Sequence, residues 1–147
     1  MGVRYSVGGL ACGSGYVVEV ATLDTRRRAH NRSAVTASTL PCPDTQPPTP
    51  VSGLTAAARS DTSISLRWKA SSDNTGIVRY EVARDGTYAG SSSLTAFTVS
   101  SLSCGTGYTI TVVAIDPSGN RSSAAGILAA TAPCPDRTPP PAPTGLK

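Results

Sequence analysis

The sequence of 147 residues is poor in charged side chains, in aromatic rings and in long apolar runs. Charged residues make up 15% of it and aromatic residues 5%, and there is one histidine. No apolar run approaches the roughly 20 residues needed to cross a bilayer, and Met1 is not followed by the basic and apolar segments of a secretory signal. These absences exclude a membrane-spanning segment, and we expect any export signal to lie upstream of Met1.

The charge balance gives little sign of a charged partner. Lys and Arg number 13 and Asp and Glu number 9, and the only basic cluster is Arg26-Arg27-Arg28. A nucleic-acid-binding domain usually concentrates its basic residues on one face, so we expect no nucleic-acid partner and no membrane insertion. The 14 glycines and 12 prolines favour many short strands joined by turns.

The chain contains an internal repeat with a period of 92 residues. After a shift of 92 positions, residues 10–54 align with residues 102–146 without a gap, and 17 of the 45 pairs are identical. The matching segments include Cys12-Gly13-Ser14-Gly15-Tyr16 with Cys104-Gly105-Thr106-Gly107-Tyr108, and Pro41-Cys42-Pro43-Asp44 with Pro133-Cys134-Pro135-Asp136. Such a period indicates an array of similar units.

The repeat predicts one complete unit and two incomplete ones. Residues 45–136 form the complete unit, residues 1–44 supply the last three strands of a preceding unit, and residues 137–147 form a linker and the start of a third. Both ends of the chain are thus expected to fall within a unit. Because the three strands would lack their partner sheet, we expect Tyr16, Val18 and Val20 to be exposed and the chain to self-associate there.

The complete unit has the pattern of seven short strands. Ile64, Leu66 and Trp68 alternate with polar residues, as in a strand with one buried face. Asp85-Gly86 supplies a hairpin turn, and Asp116-Pro117-Ser118-Gly119-Asn120 supplies another turn. Seven strands with turn signals every 8–12 residues or so, and no helical periodicity, predict an all-β, immunoglobulin-like sandwich.

Cysteines occur in pairs with 30 positions between them, Cys12 with Cys42 and Cys104 with Cys134. In each pair one cysteine precedes the sixth strand and the other follows the seventh, and these antiparallel neighbours should bring the two sulfurs within disulfide range. Free thiols and a zinc site are the alternatives, although the usual Cys-x2–4-Cys spacing is missing. Disulfides would indicate an oxidising compartment, outside the cell or at its surface.

Several segments of the complete unit carry a family resemblance: Pro47-Pro48-Thr49-Pro50-Val51-Ser52-Gly53-Leu54, Ser63-Ile64-Ser65-Leu66-Arg67-Trp68, Asp73-Asn74-Thr75-Gly76-Ile77, Tyr80-Glu81-Val82 and Ala114-Ile115-Asp116-Pro117-Ser118-Gly119-Asn120. Together they resemble a fibronectin type III domain of the bacterial secreted or surface kind, in a variant that contains a disulfide. The resemblance implies a seven-stranded sandwich in which Tyr108 makes the tyrosine corner, Trp68 fills the core and Leu102 anchors a loop.

Residues that catalysis or metal binding requires are scarce. The single histidine, His30, lies in a loop, and the complete unit has a serine at the matching position. Asp73 and Asp116 would suit a calcium or acid–base pair, but each lies in a turn where an Asp side chain normally accepts bonds from nearby backbone donors. We therefore expect no enzymatic activity, no metal and no cofactor.

Two sets of residues are candidates for a surface contact. Arg26, Arg27 and Arg28 occupy the loop between the last two strands of residues 1–44, and loops on rigid scaffolds often carry function. An anionic glycan, teichoic acid or nucleic acid would complement their charge, and a solvated loop without a ligand is the alternative. Tyr88, on a short edge segment, is the best candidate for a sugar contact.

The segment between the units is rich in proline. Residues 42–50 contain prolines spaced to favour an extended polyproline II linker. We expect a non-catalytic spacer or accessory module of a multidomain secreted or cell-surface bacterial protein, with the neighbouring domains of the parent chain as partners. The alternative function is an adhesion module that binds a polysaccharide or a cell-surface protein.

Overall fold

The computed structural model describes residues 4–140, which divide between residues 44 and 45 into two compact units. Every regular element in the described part is a strand, which confirms the all-β prediction. No helix there is long and apolar enough to span a bilayer. The strands are β1 (Gly15–Leu23), β2 (Ala29–Ser38), β3 (Ser52–Arg59), β4 (Ile64–Lys69), β5 (Arg79–Arg84), β6 (Thr87–Ser92), β7 (Ala96–Val99), β8 (Gly107–Ile115) and β9 (Ala125–Ala130).

The first unit is a two-stranded antiparallel hairpin of β1 and β2. The prediction of three strands for residues 1–44 is wrong over the described residues, because residues 4–14 form no strand. The physical reason is visible in the second unit, where β7, the counterpart of this segment, pairs with β4. Residues 4–44 contain no counterpart of β4, so this segment has no neighbour with which to exchange backbone hydrogen bonds.

The second unit contains the seven predicted strands in two antiparallel sheets. One sheet has the order β3-β4-β7 and the other the order β6-β5-β8-β9. In β4 the side chains alternate between buried and less buried, as the sequence predicts for a strand that covers a core with one face. Residues 137–140 form no strand, and residues 141–147, where a third unit was expected to begin, lie outside the described part of the chain.

Apolar side chains from both sheets of the second unit form its core. Trp68 is 6% exposed and packs edge-to-face against Tyr80, with 5.4 Å between the ring centroids. Such an arrangement is favoured by the charge distribution of aromatic rings. The other buried members include Val51, Ile64, Leu66, Val82, Val99, Leu102, Ile110, Val112, Ala114 and Ala129.

The tyrosine corner is formed as the resemblance implies. The hydroxyl oxygen of Tyr108 accepts a hydrogen bond from the Ser103 amide at 2.8 Å, and the neighbouring Leu102 is buried. The Leu102 amide donates to the Thr62 carbonyl at 3.0 Å, which ties the loop before β8 to the turn between β3 and β4.

Both predicted disulfides are present. The Cα atoms of Cys12 and Cys42 are 4.9 Å apart and those of Cys104 and Cys134 are 4.8 Å apart, within the usual disulfide range. Residues 4–140 contain no free cysteine, so the zinc and free-thiol alternatives do not apply to them.

A close approach between β6 and β7 depends on glycine. Gly90 has a φ of +147°, and a Cβ atom placed there would lie 2.5 Å from the ring of Phe97. Only glycine allows the aromatic ring to pack against this backbone. The contact brings the edges of the two sheets together beside Tyr88.

Candidate functional site

The turn of residues 24–28, here called the arginine turn, joins β1 to β2. One oxygen of Asp24 accepts hydrogen bonds from the backbone amides of Arg26 and Arg28, at 2.8 and 2.9 Å. The Arg28 amide is the main reason why the pKa of Asp24 lies below its ordinary value. Asp24 therefore holds the backbone of the turn, while the side chains of all three arginines are exposed.

Arg27 has a left-handed backbone, with a φ of +60°. The matching residue of the second unit is Gly119, whose φ is +90°. The two turns share their backbone bonds: Asp24 pairs with Arg28 in one and Asp116 with Asn120 in the other, at 3.0 and 3.2 Å. Arg27 thus occupies a position of the turn at which the second unit has a glycine.

His30 lies next to the arginine turn, in β2 and not in a loop as the sequence predicts, because it pairs with Thr22 of β1. Its Nε2 atom is 3.3 Å from a carboxylate oxygen of Asp24, and both side chains are solvent-exposed. Within residues 4–140, Asp24 is the only hydrogen-bond partner of the ring. The Thr22 hydroxyl donates to the backbone carbonyl of His30 at 3.0 Å and not to the ring, so the imidazole has a carboxylate partner but no hydrogen-bonded nucleophile among the described residues.

Tyr88 projects from the outer face of the four-stranded sheet and is 63% exposed. It pairs with Ala83 of β5, which pairs in turn with Thr111 of β8. These side chains alternate along their strands with the buried Val82 and Val112 and so point away from the core. They border a groove of about 200 Å³.

Two charged residues, Glu81 and Arg121, also line this groove. The Glu81 carboxylate accepts hydrogen bonds from Arg79 and Arg121, with nitrogen–oxygen distances of 3.0 and 2.7 Å. The hydrogen bond from Arg121 is the main reason why the pKa of Glu81 is lowered. Sequence patterns did not reveal this pairing, because Glu81 and Arg121 are separated by 40 positions and lie on elements that only the folded sheet brings together.

Asp73 and Asp116 are closer than their sequence positions imply. One carboxylate oxygen of each lies within 4.8 Å of the other. Each is also bonded within its own turn, Asp73 to the Thr75 amide at 2.9 Å and Asp116 to the Asn120 amide at 2.8 Å. The predicted turn bonds are thus present. Calcium takes about six to eight oxygen ligands, so this pair alone does not define a calcium site.

The candidate residues are divided between the two units. Arg26, Arg27 and Arg28 belong to the first unit and Tyr88 to the second. All four side chains are exposed, as expected. Tyr88 also borders a groove and lies near an ion pair, and the sequence predicted neither feature.

The sandwich with a tyrosine corner defines an immunoglobulin-like domain of the fibronectin type. Residues 47–126 match the model of the fibronectin type III domain, which is more than half of the chain. The chain therefore belongs to the fibronectin type III family.

Curated relatives of the chain include enzymes named as chitinases and exoglucanases, and one named as a poly(3-hydroxybutyrate) depolymerase, of Ralstonia pickettii. The chain is 44% identical over 107 residues to chitinase Chi52 of Paenibacillus xylanexedens, covering 73% of this chain and 20% of that protein. It is 38% identical over 89 residues to exoglucanase B of Cellulomonas fimi, covering 60% of this chain and 8% of that protein. The chain thus spans a fifth or less of the length of these relatives.

Among solved structures, chitinase ChiA74 from Bacillus thuringiensis superimposes with a TM-score of 0.60 and 29% identity, over 65% of this chain and 15% of that one. Domains A168–A170 of titin give a TM-score of 0.58 at 22% identity, over 82% of this chain and 41% of that one. The titin match shows the shared fold alone.

Proposed function

We propose that this chain is a non-catalytic spacer within a multidomain, exported bacterial protein that degrades a polysaccharide. The observation that carries the proposal is that a chain whose residues 47–126 match the fibronectin type III domain is similar to small parts of much longer chitinases and exoglucanases. The catalytic and binding domains of such a protein would then be the partners of this chain.

Two chemical features support this role. Residues 45–136 contain no histidine, and their buried carboxylate, Asp116, is bonded within its own turn. Two disulfides suit an oxidising compartment, and we propose an extracellular or cell-surface location.

The connection between the units is short and is anchored at both ends. Cys42 is bonded to Cys12 of the first unit. In the second unit the Thr49 amide donates to the Ser72 carbonyl at 2.9 Å, and the Ser72 amide donates back to the Thr49 hydroxyl at 2.8 Å. Residues 43–48, which begin and end with proline, separate these anchors. Proline restricts such a segment to extended conformations.

We further propose that residues 1–44 are the end of a preceding fibronectin type III unit and that residues 137–147 lead into a following one. The 92-residue period supports this proposal, because it continues into both segments. A chain of such units, joined by proline-containing connections, would hold flanking domains apart.

Single-molecule energy transfer tests the spacer role. The chain is fused between a donor and an acceptor fluorescent protein and compared with a Gly/Ser linker of equal length and with the variant Pro43→Gly, Pro47→Gly. We expect the native chain to give a narrow, low-efficiency distribution and both comparators a broader one. A native distribution as broad as that of the flexible linker would contradict the role. Release of reducing sugar from chitin or cellulose by the chain alone would contradict its non-catalytic nature.

A second candidate function is polysaccharide binding in the groove beside Tyr88. The specific observation is an exposed ring that borders small side chains, Ala83 and Thr111, with the fixed Glu81–Arg121 ion pair in the same groove. Sites for polar ligands combine apolar surface with a few well-placed polar groups. Tyr88 supplies the apolar face and Glu81 and Arg121 the hydrogen-bonding groups.

Pull-down with insoluble chitin and cellulose tests this second candidate. We expect Tyr88→Ala to abolish retention, whereas Leu94→Ala, which removes another exposed apolar side chain of the same unit, should leave it unchanged. Equal retention of the two variants, or no retention of the native chain, would eliminate the groove as a polysaccharide site.

A further inference from the structure

The arginine turn presents three guanidinium groups that have no acidic partner in the described part of the chain. Within residues 4–140 no ion pair includes Arg26, Arg27 or Arg28. The acid of the turn, Asp24, accepts from two backbone amides with one oxygen and lies next to His30 with the other. Its charge is therefore directed to the backbone and the imidazole ring, and the three arginines remain available to an external anion.

The conformation of Arg27 shows that the fold of the turn does not require arginine at this position. A left-handed backbone is unfavourable for a residue with a Cβ atom and costs glycine nothing. The matching turn of the second unit has Gly119 at this position and Ser118 and Asn120 beside it, and it makes the same backbone bonds. The turn therefore carries the arginine side chain at a cost in backbone strain that a glycine at this position avoids.

We propose that the arginine turn binds the phosphate groups of a linear phosphodiester polymer that carries no bases, of the polyol-phosphate type. Guanidinium groups pair with phosphate through two parallel hydrogen bonds, and three adjacent arginines can engage successive phosphates along such a chain. The proposal is independent of the spacer role. An arginine turn could attach any exported chain to an anionic polymer, whether or not that chain also separates neighbouring domains.

The surroundings of the turn favour a polymer without bases over a nucleic acid. Proteins that bind single-stranded nucleic acids usually stack successive bases on aromatic side chains. Residues 17–44 contain no Phe, Tyr or Trp. The turn therefore provides charge and hydrogen-bond donors but no stacking surface, which suits phosphates joined by a polyol.

Binding to poly(glycerol phosphate) tests the proposal in the full-length chain. The variant Arg26→Ser, Arg27→Gly, Arg28→Asn gives the turn the residues of its counterpart at positions 118–120. The control variant Arg59→Ser, Arg67→Ser, Arg137→Ser removes the same charge from exposed positions of the second unit. We expect the first variant to bind at least about tenfold more weakly than the native chain at low salt and the control to change affinity less than about threefold. Losing three phosphate contacts should also flatten the slope of log affinity against log salt by about 2–3.

Three outcomes would overturn the assignment. These are no binding by the native chain, an equal loss in both variants, and tighter binding to single-stranded DNA of the same phosphate number. Amide protection in β1 and β2 shows whether the turn variant keeps its hairpin. As a second measurement, Arg27→Gly alone relaxes the backbone, so it should weaken binding while protection stays the same or rises; unchanged affinity for this variant would also overturn the proposal.

Discussion

The hairpins β1–β2 and β8–β9 have the same local structure in different surroundings. Their strands pair in the same register after the 92-residue shift, so that Gly15 faces Ser38 in one and Gly107 faces Ala130 in the other. The equivalence continues into the loops, since each hairpin begins and ends at its own disulfide. Sequence-local contacts therefore suffice to specify the shape of this hairpin.

Hydroxyl groups near the disulfide make the same hydrogen bonds in both hairpins. The Tyr16 hydroxyl accepts from the Ala11 amide at 2.8 Å, as Tyr108 does from Ser103. The hydroxyl of Thr39 donates to the Ala11 carbonyl at 2.7 Å, and that of Thr131 donates to the Ser103 carbonyl at 2.7 Å.

Burial separates the two hairpins. Of the three side chains expected to be exposed, Val20 is 66% exposed, whereas Tyr16 and Val18 are half-buried. Val112, at the position that matches Val20, is fully buried. The difference arises because β3, β4 and β7 form a facing sheet over β8 and β9, whereas residues 4–44 supply no such sheet. Local bonds therefore set the geometry of the hairpin, and the opposite sheet supplies most of its stability.

Removal of the disulfides should have the largest effect on the stability of the two units. Cys104→Ser with Cys134→Ser should lower the free energy of unfolding of the second unit by about 3–4 kcal/mol, because each bond closes a loop of roughly 30 residues. Cys12→Ser with Cys42→Ser should melt β1–β2 completely, since a lone hairpin is marginal in water. Urea unfolding measures the first effect and amide exchange the second. Full protection of β1–β2 without its disulfide would show that the hairpin has another source of stability.

Truncating the matched valines should give the next largest difference. Val112→Ala should cost about 2–3 kcal/mol, because it leaves a cavity in a closed core. Val20→Ala should change the free energy of unfolding by less than about 0.5 kcal/mol, as at other exposed positions. Denaturant unfolding of each variant gives both values, and similar costs would mean that Val20 is covered in solution.

Self-association tests whether the face of the β1–β2 hairpin that lacks a facing sheet packs against a second copy of the chain. Val20 and Val35 lie on this face and are 66% and 61% exposed. We expect the native chain to form dimers or larger species as its concentration rises, and Val20→Thr with Val35→Thr to return it to a monomer. Sedimentation velocity distinguishes these states, with Val17→Thr on the opposite face as the control. A native chain that stays monomeric at high concentration would refute the expectation.

The smallest effect concerns the Glu81–Arg121 ion pair of the second unit. Because the pKa of Glu81 is lowered in the folded state, its ion pair stabilises at pH values above the ordinary glutamate pKa and is lost as the pH falls through the folded value. Glu81→Gln should therefore cost about 1 kcal/mol or less at pH 7, and the difference should shrink below about pH 4. Glu19→Gln, whose partner Arg32 is 3.7 Å away and exposed, should have no effect. A cost for Glu81→Gln that does not vary with pH would disprove the electrostatic origin.

Local patterns predicted most of the fold. Alternation gave the seven strands, Asp85-Gly86 and residues 116–120 gave the turns, and the spacing of the cysteines gave both disulfides. The prediction failed for residues 4–14, because a strand also needs a neighbour, and whether one is present is a property of the whole unit.

Long-range contacts around the candidate sites escaped prediction. The Glu81–Arg121 pair, the packing of Gly90 on Phe97 and the approach of Asp73 to Asp116 all join segments that are distant in sequence or on different sheets. Exposure of Tyr88 and of the three arginines was predictable from their positions on an edge strand and in a turn.

Amide hydrogen exchange of the oxidised chain tests most directly whether a facing sheet separates the two hairpins. We predict that the amides of Ile110 and Val112 in β8 exchange only by unfolding of the whole second unit. Those of Val18 and Val20 in β1 should exchange orders of magnitude faster at low protein concentration. Equal protection of the two hairpins in a monomeric sample would contradict the account.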